Sequence, residues 1–167
     1  RLPEDEVEKA QNIKKQKEVF IAQIEFAKKV KKPLIVHIRD ASNDSKQILI
    51  DYYAKEVGGV LHCYNASEHL LPLAEHNFYF GIGGVVTFKN AKKLVEVLPK
   101  IPKDKLLIET DAPYLTPHPH RGERNEPYYT IFVSSKMSEL LNISDLEVQN
   151  LTTNNAKKLF KEFSSLS

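Results

Sequence analysis

Four short apolar, largely β-branched or aromatic runs constrain this chain most, because each is stopped by a turn signal and separated from the next by a helix-like stretch. They are Leu34-Ile35-Val36-His37-Ile38, Val60-Leu61-His62-Cys63-Tyr64, Phe78-Tyr79-Phe80-Gly81-Ile82 and Leu106-Leu107-Ile108-Glu109-Thr110. Near-continuous apolar strands alternating with helices imply a parallel sheet of βαβ units, since helices cover the faces of such a sheet. The connecting segments agree. From about Glu4 to Lys31 the residues Ile13, Phe20, Ile24 and Ala27, together with Val19, Phe26 and Val30, recur at helical spacings until Pro33 stops them. Further helices are expected near Asp44–Lys55, over Ser67–His76, Ala91–Leu98 and Pro127–Leu141. Ser144 and Glu147 have the spacing of a capping box, and a last helix is expected near Asn154–Phe163. The chain of 167 residues is expected to be a single domain, 1–167. Four such strands make either a small open sheet or half of a barrel of about 250 residues, and the pattern by itself leaves both open.

Composition narrows the function classes. With 24 basic and 22 acidic residues the formal net charge is +2, so no global field gathers nucleic acid and any phosphate-binding surface is local. The single cysteine, Cys63, rules out an internal disulfide framework and suits a reducing, cytoplasmic setting. No apolar run reaches the roughly 20 residues of a membrane span, so no membrane partner is expected. The chain opens Arg1-Leu2-Pro3 without Met, which suggests a processed product or a sequence missing its beginning.

In a parallel sheet the carboxyl ends of all strands share one rim, where α/β folds place their chemistry. His37, His62 and Asp111 are expected at that rim. Two neutral imidazoles and a carboxylate suit a borderline divalent ion such as zinc, or manganese and magnesium when more oxygen ligands join. The competing reading is a strand-end histidine bonded to backbone. Glu109, two residues before Asp111 and on the same face, either orients a histidine ligand or forms an internal salt bridge. Gly81, Gly83 and Gly84 are expected to allow close approach of backbone to a ligand, or a tight turn. No Gly-Lys-Ser/Thr follows them, so a P-loop is not expected. His69 and His76 read as a solvated face, and His118 and His120 as rim or substrate contacts.

Five blocks, in order, resemble one family. Pro33–Ala41, Gly59–Tyr64, Tyr79–Gly84 with Val86–Phe88, Leu106–Leu115 and Arg121–Pro127 are similar to the TatD-related metal-dependent hydrolases, and the resemblance covers essentially the whole chain. It implies an α/β fold, a TIM-like (β/α)8 barrel of the amidohydrolase type. It also implies a divalent metal cofactor (Mg, Mn or Zn, one ion or two) and deoxyribonuclease activity, commonly 3′-to-5′ exonuclease, with DNA as substrate. On this resemblance His37, His62 and Asp111 are metal ligands, and Asp111 is also catalytic, taking a proton from the attacking water. Arg39 and Tyr64 face the pocket as substrate-binding residues. Tyr64 is read as stacking on a base or as packing. Arg121 and Asn125 match an Arg-Gly-x-x-Asn-x-Pro loop suited to grip phosphate, although a surface salt bridge also accounts for Arg121.

Two family motifs are not found in the sequence: a His-x-His pair on the first strand, and a Gly-Glu-x-Gly-Leu-Asp segment that brings a metal-bridging Glu. The four strands are therefore expected to be strands 5 to 8 of the barrel. Unpaired edges at Leu34–Ile38 and Leu106–Thr110 would then favour self-association with another copy. The alternatives to a deoxyribonuclease are a catalytically silent fragment or half-barrel, or a hydrolase acting on an ester or amide.

Overall fold

Pro33 separates the long helix α1 (Leu2–Val30) from strand β1 (Leu34–His37) in the computed structural model, which describes residues 2–161. Next come α2 (Ser42–Asp51), β2 (Gly59–His62), β3 (Phe78–Ile82), α3 (Lys92–Val97), β4 (Leu106–Ile108), α4 (Thr130–Leu141) and α5 (Asp145–Leu159). The strands form one parallel sheet in the order β1-β2-β3-β4. Consecutive parallel neighbours joined by helical connections are the βαβ arrangement expected from the apolar alternation.

Side chains alternate across the sheet, and the two faces differ. Leu34, Val36, Leu61, Phe78, Phe80, Ile82 and Leu106 enter the main core with Leu49, Val97 and Met137 from the helices. The other face carries Val60, Tyr79 and Leu107, on which Leu159 packs with Ala156 and Phe160 at the end of α5. That cover stops short of the carboxyl ends, where His62, Gly81 and Glu109 lie on the same face. β1 and β4 are the sheet edges among the described residues, and Ile35 on β1 is 69% exposed. The apolar stripe Val19, Phe26 and Val30 of α1 is exposed as well, whereas Ile24 and Ala27 are buried.

Several expected boundaries are corrected. β2 begins at Gly59 and ends at His62, and β4 ends at Ile108, so Asp111 stands on the following loop rather than closing the strand. The Glu109 N–H still bonds to the Ile82 carbonyl at 3.0 Å, which carries the pairing one residue further. Residues Glu68–His76 form a 3-10 segment rather than an α-helix, because Pro72 lies inside it and supplies no N–H. α2 stops at Asp51; Tyr53 takes a left-handed conformation (φ 54°), and a separate turn covers Ala54–Glu56. The last helix begins at Asp145, directly after the N-cap residue Ser144 of the Ser144–Glu147 capping box, and ends at Leu159. Phe163, the expected end of that helix, lies outside the described residues.

Candidate active site

Parallel register sets His37 beside His62 at the carboxyl ends of β1 and β2, with ring centroids 5.9 Å apart. Glu109 follows β4, two strands from His62, yet its Oε2 lies 2.8 Å from His62 Nδ1. Its Oε1 accepts the Cys63 backbone N–H. The carboxylate reaches that far because the intervening β3 position is Gly81, where an added Cβ would overlap Glu109 Oε2. The expectation for Gly81 is thereby corrected: its missing side chain admits a protein carboxylate, not a ligand. Gly84 makes room similarly for the Leu115 carbonyl.

On the far side of the ring, His62 Nε2 lies 2.9 Å from Asp111 Oδ1. Burial alone would lower the imidazole's pKa. Glu109, then Asp111, outweighs burial, and the net shift is upward. Burial pushes the Glu109 carboxyl up, against the opposing pull of His62 and the Cys63 N–H. The Cys63 thiol is pushed up to about 12, first by burial and then by the Asp111 carboxylate. A neutral thiol is a weak nucleophile, so Cys63 serves through its backbone N–H.

The donor set can be tested against a divalent ion. Among the described residues no three His, Cys, Asp or Glu side chains are gathered so as to hold a metal. The chemistry of the donors fits one nevertheless. A ring nitrogen tied to a carboxylate is how metal-ligating histidines are oriented, and this leaves Nε2 facing Asp111, with His37 one strand away. His37 is thus the ring neighbour of His62, and His62 in turn is within hydrogen-bond distance of Asp111.

Other expected site residues separate. The Arg39 side chain is exposed and free of ion pairs among the described residues. Tyr64 is only 5% exposed; its hydroxyl donates to the Ser67 carbonyl at 2.6 Å and its ring packs edge-on against Phe80 at 4.9 Å. At that exposure the side chain fits the packing reading better than stacking on a base. Arg121 is exposed and places its guanidinium over the Phe88 ring, 3.7 Å from the centroid, with no salt bridge among the described residues. Asn125 is 4% exposed and cannot grip phosphate as expected. Its Nδ2 donates to the Tyr114 carbonyl (2.7 Å) and the Thr110 hydroxyl (3.3 Å), tying the loop around Asp111 to its own far end. His120 stacks on Tyr129 at 4.6 Å and lies 3.0 Å from Glu123, which makes it part of the loop's framework. His69 is exposed, as expected.

The order of these features matches known proteins. A family described as TatD related DNase matches residues 4–161. The chain belongs to that family. It is 50% identical over 147 residues to the uncharacterized metal-dependent hydrolase YabD of Bacillus subtilis (strain 168), covering 87% of this chain and 58% of that protein. It is 40% identical over 147 residues to the uncharacterized metal-dependent hydrolase YcfH of Escherichia coli (strain K12), covering 87% and 56%. The TatD homologue YJJV of Escherichia coli K12 superposes with a TM-score of 0.76 at 28% identity, covering 82% of this chain and 53% of that one. An uncharacterized amidohydrolase from Saccharomyces cerevisiae shares the fold with a TM-score of 0.72 at 20% identity, over 86% of this chain and 59% of that one. The TatD-family chain spans a little over half the length of these relatives. Its α/β fold with a parallel sheet is similar to part of the TatD and amidohydrolase structures. Among the described residues no helix is long and apolar enough to cross a membrane.

Proposed function

We propose that this chain supplies His37, His62 and Asp111 to the divalent-metal site of a hydrolase that removes nucleotides from the 3′ end of DNA. The observation that carries the reading is His62, clasped between Glu109 and Asp111 at the carboxyl rim of a parallel sheet. When bound, a divalent ion supplies Lewis acidity toward a phosphodiester oxygen and lowers the pKa of water, from near 16 toward about 7 in the best-studied zinc case. Glu109 fixes the His62 ring and its Nδ1–H tautomer. Asp111, partly open to solvent, holds the proton given up by the attacking water. Arg121, over the Phe88 ring, presents a guanidinium to the phosphates beyond the scissile bond. The four strands correspond in this reading to strands 5 to 8 of a (β/α)8 barrel, and a cytoplasmic setting keeps the single Cys63 reduced.

The test is release of label from 3′-end-labelled single-stranded DNA with Mg2+ or Mn2+, against an EDTA control and Asp111→Asn. Metal-dependent release lost in the variant, with an unchanged melting curve, supports the proposal. Release that survives EDTA or Asp111→Asn overturns it.

A second reading rests on a separate observation: among the described residues no three donors enclose a metal ion. In that reading this chain is silent by itself and its edges, β1 and β4, pair with further strands before the site forms. Sedimentation of the 167-residue chain alongside its cleavage assay separates the two. An inactive monomer favours the second reading, and an active monomer excludes it.

A further inference from the structure

The carboxyl rim holds more than the metal donors. Beside His37 opens a cavity of about 630 Å³ between the loops after β1 and β2, the segment leading into α3, and Leu115 of the long loop. Its volume falls in the range of pockets for small ligands. The wall is apolar, with Val85, Leu94 and Leu115, while Arg39, Asn90 and Lys93 supply polar groups. No carboxylate lines it, so two cations face the cavity without a counter-charge in its wall.

Arg39 is uncommitted among the described residues, and Lys93 is held only by a shared, longer ion pair. The Arg39 guanidinium has no partner among the described residues. Lys93 lies 3.4 Å from Glu68 Oε1, but Lys100 holds the same oxygen at 2.6 Å, so Glu68 keeps a counter-ion when Lys93 turns away. The Asn90 side chain is exposed and makes no hydrogen bond among the described residues, which leaves a donor and an acceptor at the mouth. A cavity of comparable size lies between the end of α1 and the end of α5, at the opposite pole of the sheet and away from His62.

We propose that the rim cavity holds one nucleotide of the substrate strand, with base and sugar on the apolar wall and the phosphate between Arg39 and Lys93. This rests on the nuclease reading above and deepens it by naming the unit that the site grips. Lys93 and Asn90 are its binding residues, Asn90 meeting the polar edge of the base. A ligand of this kind needs both halves of the wall. Phosphate alone gains nothing from Val85, Leu94 and Leu115, and a nucleoside alone gains nothing from the cations.

The test is titration of the isotope-labelled chain, in EDTA, with thymidine 5′-monophosphate, thymidine and inorganic phosphate, followed by amide NMR shifts. The nucleotide is expected to bind more tightly than either part, with shifts centred on residues 85–94 and Leu115. Lys93→Gln should weaken it about tenfold and Lys93→Arg should restore it. Lys100→Gln, which leaves Lys93 as the counter-ion of Glu68, should also weaken binding, by less than Lys93→Gln does. Equal affinity in Lys93→Gln, or phosphate binding as tightly as the nucleotide, overturns the proposal. The DNA-cleavage assay separates this failure from failure of the nuclease reading. Asp111-dependent cleavage without nucleotide binding discards the cavity and keeps the nuclease; nucleotide binding in the cavity without cleavage of DNA does the reverse.

Discussion

Glu109 reaches His62 over the bare backbone of Gly81, and that crossing organises the candidate site. A methyl group at position 81 would overlap the Glu109 carboxylate, and the side chain would have to leave either His62 or the Cys63 N–H. The φ of Gly81 is ordinary for a strand, so alanine is acceptable to the backbone and the clash falls on the carboxylate. Gly81→Ala is expected to lower metal affinity by about 10- to 100-fold, as loss of a histidine's carboxylate partner does. Calorimetric metal titration checks this; an unchanged affinity would show that the crossing is incidental.

Much of this was legible from residue patterns. The apolar runs locate all four strands and imply that they are parallel, because near-continuous Val, Ile, Leu and Phe mark strands covered by helices, although Ile35 of β1 is exposed. His37 and His62 fall at the rim because they end such runs. The fate of Tyr64, Asn125 and Gly81 was hidden for a physical reason. Each depends on what lies across the sheet or across a loop: Phe80 beneath Tyr64, the Tyr114 carbonyl beside Asn125, Glu109 above Gly81. Local pattern carries no record of such long-range partners. The 3-10 form of Glu68–His76 was accessible, since Pro72 forbids the regular helix that the apolar spacing suggests.

Arg121 sits over the Phe88 ring and is exposed. Arg121→Ala is expected to weaken DNA binding several-fold and to reduce the salt dependence of binding by about one phosphate contact, while metal affinity stays constant. Parallel titrations with DNA and with metal measure both. A matching fall in metal affinity would place Arg121 in the scaffold of the site.

Cys63 should resist alkylation. With its thiol pushed up to about 12 by burial and by Asp111, little thiolate exists at pH 8 in the folded chain. Iodoacetamide labelling followed by mass spectrometry should therefore be slow until denaturant is added. Rapid labelling of the folded protein would contradict the packing around Cys63.

The capping box gives α5 a pH signature. Ser144 Oγ accepts the Glu147 N–H at 3.1 Å, and Glu147 Oε2 accepts the Ser144 N–H at 2.8 Å. Ser144→Ala is expected to cost about 1 kcal/mol in unfolding free energy. The Ser144 backbone N–H, then its hydroxyl, holds the Glu147 carboxyl below its ordinary range. A depressed carboxyl stabilises the fold fully above its unfolded pKa, and the contribution disappears as pH falls through the folded value. The gap in melting temperature between wild type and Glu147→Ala should accordingly narrow from pH 7 toward pH 3. A gap that widens would contradict the assignment.

The central claim is that His62 offers Nε2 to a metal beside Asp111 while Glu109 keeps the proton on Nδ1. Long-range proton–nitrogen NMR of the histidine rings, recorded during titration with Zn2+, measures it most directly. The expected result is a shift of His62 Nε2 with Nδ1 remaining protonated, abolished in Asp111→Asn. A zinc-induced shift confined to His69, His76 or His118, with the His62 ring unmoved, would contradict the account.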